Sequence, residues 1–202
     1  QSNIKLSKDS KDQFTQRIIY QNQDFLIINK LKGYSVQRGS KVNISLKDYY
    51  ESLLNTNLYI VHRLDKDTTG LMIFAKHRIA ASTISKLFLN NKIHKFYIAS
   101  TDNLFKKNTG FLNDTNDENK NLKLLFRRIH LNNSTNTYLI KLLTGKKHQI
   151  RLQFFLNNNP IIGDKKFNSK SKFDLQLSSI SINFVYEGKF YKFKLSLNQI
   201  FQ

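Results

Sequence analysis

The sequence predicts an α+β fold, with a mixed, mostly antiparallel central sheet flanked by helices. Short apolar runs bounded by turn residues recur along the chain and indicate many strands. Only three segments show helical signals, and they are interleaved among long stretches of sheet, as in an α+β fold. The 202 residues suffice for one substantial core and fit a single domain.

Residues 1–16 are polar and unpatterned, so we expect a tail or linker ahead of one domain over 17–202. Its first half contains repeated apolar runs and one capping signal. The predicted elements are, in order, a strand pair over 17–20 and 25–28, basic loops at 30–33 and 37–40, a helix over 45–54 capped by Ser45, and a buried strand over 70–76.

The second half begins with helical spacing over 77–91, where Ala80, Ile84, Leu87, Phe88 and Asn91 share a stripe. Residues 102–121 are rich in Asn, Asp and Lys, which favours a mobile surface insertion. The remaining predicted elements are strands over 95–99, 122–130 and 137–143, a helix over 146–156, and two or three strands over 175–197 with Glu187-Gly188 as a turn.

The chain is strongly basic, with 33 Lys and Arg against 14 Asp and Glu and a formal net charge of +19. Such a field attracts polyanions, and nucleic acid is the leading candidate; a basic secreted or membrane-surface protein is the alternative. No apolar run approaches the roughly 20 residues that span a bilayer. Without cysteine the chain has no thiolate chemistry, and no His/Glu spacing resembles a zinc site, so we expect no metal.

The stretch 61–76 places an acidic residue, Asp65, between the cations Arg63 and Lys66. A neighbouring positive charge keeps a carboxylate ionised near neutral pH. A carboxylate is a poor contact for nucleic acid, so its presence in a basic protein indicates a chemical role. The alternative for Asp65 is an ordinary turn residue, a role that fits Asp67 better because it directly precedes Thr68-Thr69-Gly70.

Tyr97 lies in the predicted strand 95–99, where alternate side chains face opposite sides. The pattern predicts that Phe96 and Ile98 enter the core while Lys95 and Tyr97 share an open face. A tyrosine beside a lysine suits stacking on a nucleobase. A surface aromatic that pairs across strands is the alternative.

The third element is a Thr144-Gly145 turn that leads into the predicted helix 146–156. Its first turn would present Lys146, Lys147 and His148 as an anion site suited to phosphate. Arg151 follows His148 by three residues and would share its face. A solvated lysine pair and a packing or capping histidine are the alternatives.

Together these three elements resemble the RluA family of pseudouridine synthases. The resemblance rests on motifs in a fixed order: His62-Arg63-Leu64-Asp65 with Thr68 and Gly70-Leu71, then Lys95, Tyr97 and Ala99, then Thr144-Gly145 and His148-Gln149-Ile150-Arg151. Residues 18–20, 28–30 and 160–164 match further segments, and about 17–200 is covered. The loop 37–40 looks most like the RluC type, which acts on large-subunit ribosomal RNA and usually carries an S4 RNA-binding domain upstream. A start at Gln1 rather than Met would fit a fragment without that domain.

The chain also departs from the family pattern. The entry loop usually reads Lys-Pro-x-Gly, whereas here Lys30-Leu31-Lys32-Gly33 lacks the proline. Thr69 stands where serine is usual, and Lys146-Lys147 replaces the common Arg-Thr. None of these changes touches the three residues to which the resemblance assigns chemistry.

The resemblance implies the pseudouridine synthase fold, with the active-site cleft across the sheet, and conversion of specific uridines in RNA to pseudouridine. The N1–C1′ bond breaks and C5 joins C1′, a rearrangement that needs no cofactor. Asp65 would be the catalytic carboxylate, either attacking C1′ or taking the 2′ proton. Arg151 would pair with it, and Tyr97 would stack under the uracil and help remove the C5 proton.

The target nucleotide must leave its stack to be reached, and Arg63 is the candidate to fill the space. The other residues expected to contact RNA are His62, Lys30, Arg38, Lys66, Lys95, Lys146 and Lys147. We expect a cytoplasmic monomer without an obligate protein partner, acting on bacterial-type 23S rRNA. A tRNA-directed synthase, a non-catalytic RNA-binding or ribosome-assembly factor, and an RNA glycosidase are the alternatives.

Overall fold

The computed structural model describes residues 6–39, 42–129, 135–167 and 172–201. Its helices are α1 Lys8–Thr15, α2 Leu46–Leu54, α3 Arg78–Leu89 and α4 Gln149–Leu156, with a 3-10 turn at Leu197–Gln199. Its strands are β1 Ile18–Gln21, β2 Phe25–Lys30, β3 Tyr59–Ile60, β4 Thr69–Ala75, β5 His94–Thr101, β6 Thr109–Thr115, β7 Asn121–Ile129, β8 Asn136–Leu142, β9 Leu177–Tyr186 and β10 Lys189–Lys194. No helix in these ranges is long and apolar enough to cross a bilayer.

The strands form one sheet in the order β1-β2-β4-β9-β5-β8-β7-β6, with β10 on β9 and β3 on β4. The pairing of β4 with β9 is parallel, and the other described pairs are antiparallel. The predicted α+β class and the mixed, mostly antiparallel sheet are therefore confirmed.

Helices cover the two faces of the sheet unequally. On the first face, α1, α2 and α4 contribute Phe14, Tyr50 and Phe154 to the larger apolar core. On the second face, α3 packs Ile84 against strand residues that include Phe184. Because the middle of the sheet is covered on both faces, β4 is buried along its whole length, which explains its continuous apolar sequence.

The N-terminal residues are more ordered than the sequence predicts. Within the expected tail 1–16, residues 8–15 form α1, and the Ser7 side chain accepts a hydrogen bond from the Ser10 backbone N–H. Phe14 is almost completely buried and stacks on Tyr49 at 4.7 Å between ring centroids. The prediction of a tail is therefore wrong for this segment. This helix is polar and buries one aromatic residue, Phe14, so its sequence has no periodic apolar pattern that would predict a helix.

The expected surface insertion at 102–121 is also corrected. Residues 109–115 form the edge strand β6, paired with β7 throughout. Leu112 is buried in the first-face core, and Asp114 accepts a hydrogen bond from Gln153 of α4 at 2.8 Å. One buried apolar residue is enough to anchor this strand because the neighbouring strand supplies the backbone hydrogen bonds.

Most of the other predicted elements are present. The strand pair β1–β2, helices α2 and α3, and strands β4, β5, β7 and β8 lie where expected, and Glu187 and Gly188 make the β9–β10 turn with positive φ angles of 49° and 75°. The short strand β3 was not predicted. The first five residues of the expected tail, Ser40 of the second basic loop and His130 lie outside the described residues.

Candidate active site

A loop between β3 and β4 carries Asp65, and two close contacts fix that loop. Gly70 has φ +103°, and a Cβ on it would lie 2.2 Å from the Ser179 carbonyl oxygen of β9. Lys30, at the end of β2, donates from Nζ to the carbonyl oxygens of Leu31, Lys66 and Thr68 at 2.7–2.9 Å. The chain on both sides of Asp65 is thus tied to the sheet.

Lys30 is only 1% exposed, so its predicted contact with RNA phosphates is wrong. Burial lowers the pKa of its ammonium group to about 7, although the carboxylates of Asp67 and Asp65 oppose that shift. A buried lysine is tolerated here because three carbonyls accept its three N–H donors. Lys30 holds the loop in place and does not bind substrate.

Asp65 is mostly buried and faces two side chains from the start of α4. Its Oδ2 lies 2.8 Å from Nδ1 of His148 and accepts a hydrogen bond from Nη1 of Arg151 at 3.0 Å. Burial alone would raise the pKa of Asp65, but the hydrogen bonds and charges of His148 and Arg151 outweigh it and lower the pKa. The carboxylate is therefore held as an anion, oriented by two partners.

Arg151 is held from its other side by Asp164. Its Nε and Nη2 donate to the two oxygens of this carboxylate, both at 2.7 Å, while its guanidinium carbon lies 5.6 Å from the centre of the Phe167 ring. Burial would lower the pKa of Arg151, but Asp164 and then Asp65 raise it. Arg151 thus bridges two carboxylates, as a planar fork can.

The segment before α4 is a turn, which corrects the predicted helix start at Lys146. Helix α4 begins at Gln149, and His148 precedes it in the left-handed conformation at φ 54°. Lys146 and Lys147 are exposed turn residues and not the first helical turn that we expected. The Gln149 side chain accepts from the Lys146 backbone N–H at 3.0 Å and so closes the turn.

Tyr97 lies on the same side as Asp65, but inside the protein. It is 6% exposed and belongs to the first-face core, while Phe96 is half-buried on the opposite side. The predicted orientation, with Tyr97 on an open face and Phe96 in the core, is therefore wrong. Burial raises the pKa of the Tyr97 hydroxyl, and the charge of Asp65 raises it further, so the phenol keeps its proton.

Asp65, Tyr97 and Arg151 line one small cleft of about 60 Å³, together with Arg63 and Lys146. The structure thus brings together the three residues to which the sequence assigned chemistry, from three elements distant in the chain. Among the described residues no cluster of His, Cys, Asp or Glu could hold a metal ion.

His62, predicted to contact RNA, supports the fold instead. Its Nε2 accepts the backbone N–H of Ile73 at 2.9 Å, and its ring stacks on Phe88 of α3. Burial, with a smaller effect from Lys95, lowers the pKa of His62 to about 3. The imidazole is neutral and its Nε2 is occupied, so the prediction of an RNA contact is corrected to a structural role.

The other residues predicted to contact RNA differ in exposure and in ion pairing. Arg63, Lys66, Lys146 and Lys147 are exposed, and Lys95 is half-buried. Of these, Arg63 and Lys146 line the cleft. Arg38 is exposed, but its guanidinium pairs with both oxygens of Asp48 at 2.8 and 2.9 Å. An RNA phosphate at Arg38 would therefore compete with this carboxylate.

Sequence reasoning missed two residues of the site, His148 and Asp164. His148 was expected in an anion site at the helix start, with packing or capping as the alternative, and not as a partner of Asp65; Asp164 was noted only as part of a segment after the helix. Nothing local marks either of them, because each acquires its role by meeting Arg151 and Asp65 across the fold. The spacing of three between His148 and Arg151 was the one available signal.

The fold is that of pseudouridine synthases. Two human structures match it, RNA Pseudouridylate Synthase Domain Containing 1 with a TM-score of 0.74 and Domain Containing 4 with 0.78. The first is 16% identical and the match covers 89% of this chain and 82% of that one; the second is 20% identical and the match covers 93% and 90%. At these identities the structures establish the fold.

The sequence comparisons give the family. A family model described as RNA pseudouridylate synthase matches residues 24–155. Ribosomal large subunit pseudouridine synthase C of Rickettsia bellii is 30% identical over 77% of this chain and 58% of that protein. An uncharacterized RNA pseudouridine synthase of Mycoplasma capricolum is 32% identical, with 83% and 64% covered. The chain belongs to the RNA pseudouridylate synthase family, as the resemblance predicted, and spans about three fifths of the length of these relatives.

Proposed function

We propose that the chain converts uridine in RNA to pseudouridine, with Asp65 as the catalytic carboxylate. The observation that carries this proposal is the position of Asp65, ionised and hydrogen-bonded to His148 and Arg151 in the cleft that Tyr97 lines. The carboxylate either attacks C1′ or takes the 2′ proton. In both routes N1–C1′ breaks, the uracil turns while bound, C5 bonds to C1′ and the C5 proton is lost.

The cleft favours an isomerase over a hydrolase. Hydrolysis of a glycosidic bond typically uses a second carboxylate, to activate water or to protonate the leaving group. The nearby Asp164 cannot serve, because its side chain is fully buried and both oxygens are bound by Arg151. Among the described residues that line the cleft, Asp65 supplies the one carboxylate. One carboxylate beside a buried phenol suits a reaction that retains the base and excludes water.

We propose large-subunit 23S rRNA as the substrate. The Rickettsia relative and a Buchnera aphidicola protein, 30% identical over 90% of this chain, are both named ribosomal large subunit pseudouridine synthase C. The net charge of +19 fits a long RNA partner. A tRNA substrate is the second candidate within the family, and parallel assays on the two transcripts distinguish them.

The test compares two neighbouring acidic residues in one loop. Asp65→Asn should bind RNA and form no pseudouridine, whereas Asp67→Asn, at an exposed position that does not line the cleft, should stay active. Product is read by carbodiimide-adduct primer extension on 23S and tRNA transcripts, and binding by filter retention. Normal product from Asp65→Asn would remove it as the catalyst. Inactive wild-type protein that still binds RNA would favour the non-catalytic RNA-binding factor.

A further inference from the structure

The second face of the sheet is partly open where β6 and β7 form the edge. Phe111 and Leu125 are cross-strand neighbours, 51% and 42% exposed. The adjacent pairs on the same face are Thr109 with Arg127 and Asn113 with Lys123. We call Phe111, Leu125, Lys123 and Arg127 the open face. It lies opposite the face whose core contains Leu112, Leu124 and Phe126.

The cations of the open face have no partner among the side chains that the structure describes. The side chains of Lys123 and Arg127 make no ion pair or hydrogen bond within the described residues, whereas Lys47 and Lys120 are each paired with a glutamate. No acidic residue lies on this side of β6, β7 or β8 in their described spans. The open face therefore presents an exposed aromatic ring and uncompensated positive charge.

A basic notch lies between the open face and the cleft. This cavity of about 100 Å³ is lined by His94, Lys95 and Lys141, and Leu142 lines both the notch and the cleft. Lys141 is the cross-strand neighbour of Leu125, so the notch borders the open face. The side chains of Lys95 and Lys141 also make no ion pair or hydrogen bond within the part of the chain that the structure describes.

The surroundings of Lys95 suit an anionic ligand. Its Nζ lies 5.6 Å from the centre of the Phe88 ring, and burial lowers its pKa. A half-buried ammonium without a counter-ion is unfavourable, and a phosphate would restore both its charge and its hydrogen bonds.

We propose that single-stranded RNA flanking the target uridine leaves the cleft through the notch and crosses the open face. A phosphate would bind in the notch, and a base would stack on Phe111 beside Arg127. The proposal rests on the proposed function, because it describes how that substrate is held. A second copy of this chain is a poor occupant, since two chains of charge +19 repel each other. An exposed aromatic flanked by cations on an open sheet suits RNA bases.

The binding experiment uses a fluorescein-labelled oligoadenylate, which contains no uridine and requires no turnover. Phe111→Leu keeps an apolar side chain but removes the ring, and should weaken binding about tenfold. Arg127→Gln should make the plot of log binding constant against log salt concentration less steep, by the amount that one phosphate contact contributes. The matched controls are Phe190→Leu and Lys192→Gln on β10, both exposed and distant from the open face in the sheet order, and they should bind like the wild type.

The turnover experiment compares a long rRNA transcript with a stem-loop trimmed to the target. Phe111→Leu with Arg127→Gln should raise KM for the long RNA, with kcat unchanged and the stem-loop unaffected. Wild-type oligoadenylate binding by both variants, or an equal rise of KM on the two substrates, overturns the proposal. If the wild-type protein makes no pseudouridine but the variants lose oligoadenylate binding, the proposed function fails and the RNA surface remains.

Discussion

The guanidinium of Arg151 makes a bidentate pair with the buried carboxylate of Asp164, with both N···O distances at 2.7 Å. This pair consumes Nε and Nη2 and leaves Nη1 for Asp65. Two carboxylates thus share one cation. Asp65 is neutralised less completely than it would be by an arginine that bound no other carboxylate. Asp164 both orients Arg151 and limits its effect on Asp65.

Asp164→Asn should disturb the cleft in two measurable ways. Breaking a buried ion pair costs about 3–5 kcal/mol of unfolding free energy, measurable by urea denaturation. Misplacing Arg151 should slow single-turnover pseudouridine formation by up to about a hundredfold. The substitution also removes a negative charge near Asp65, which favours the Asp65 anion, so the pKa of Asp65 falls and the acid limb of the rate profile moves to lower pH.

Asp114→Asn is the control for loosening of α4. Asp114 accepts a hydrogen bond from Gln153, on the same helix as Arg151, but lies outside the cleft. It should lose some stability and keep the wild-type pH profile. An acid limb that moves equally in both variants would show that Asp164 acts only through the stability of the helix.

Substitution of His148 should shift the same pH profile in the opposite direction. Its hydrogen bond helps to lower the pKa of Asp65, so His148→Ala should raise that pKa and move the acid limb of the single-turnover rate to higher pH. His148→Gly separates the side chain from the backbone, because glycine adopts φ 54° without strain. Glycine should match alanine in the rate profile but exceed it in stability by about 1–2 kcal/mol. Wild-type profiles for both variants would exclude the contact from function.

The sequence allowed prediction wherever local pattern decides the structure. The apolar run of β4, the Ser45 cap of α2 and the Glu187-Gly188 turn all have strong local signals, and all lie where expected. Ordered motifs also singled out Asp65, Tyr97 and Arg151, which the fold brings into one cleft, and their chemical roles stay a prediction. These features depend on backbone preference and on residue identity, both of which a sequence displays directly.

The predictions that the structure corrects share another cause, which is long-range packing. Lys30 and His62 look like surface cations, but tertiary contacts bury Lys30 and bind Nε2 of the His62 ring. Tyr97 faces the core because helices cover that side of the sheet, which strand alternation alone cannot reveal. Asp164 gains its role from a partner thirteen residues away across a turn. In each case long-range packing, and not local preference, decided the outcome.

Tyr97→Phe tests the buried phenol with a minimal change. The ring would remain in the core, so the unfolding free energy should change by no more than about 1 kcal/mol, the usual net value of one hydrogen bond. RNA affinity should stay near that of the wild type, while kcat falls because the hydroxyl, which keeps its own proton, no longer hydrogen-bonds the reacting group while the C5 proton is lost. Release of tritium from RNA labelled at uridine C5 measures this step. Full release by the variant would leave Tyr97 a packing residue.

Lys30 offers a test that depends on pH and requires no RNA. Its pKa is about 7 in the folded protein against the ordinary 10.5, so between these values the unfolded chain holds a proton that the folded chain lacks. The contribution of Lys30 to the free energy of unfolding must therefore increase with pH across that window, by at most about 1.4 kcal/mol per pH unit. Lys30→Met should lack this rise and also leave three carbonyls without a donor, so its deficit relative to the wild type should widen from pH 7 upward in urea titrations. Lys86→Met, which removes an exposed lysine from α3, should follow the wild-type slope. A constant deficit for Lys30→Met would mean that Lys30 stays charged in the folded protein throughout the window.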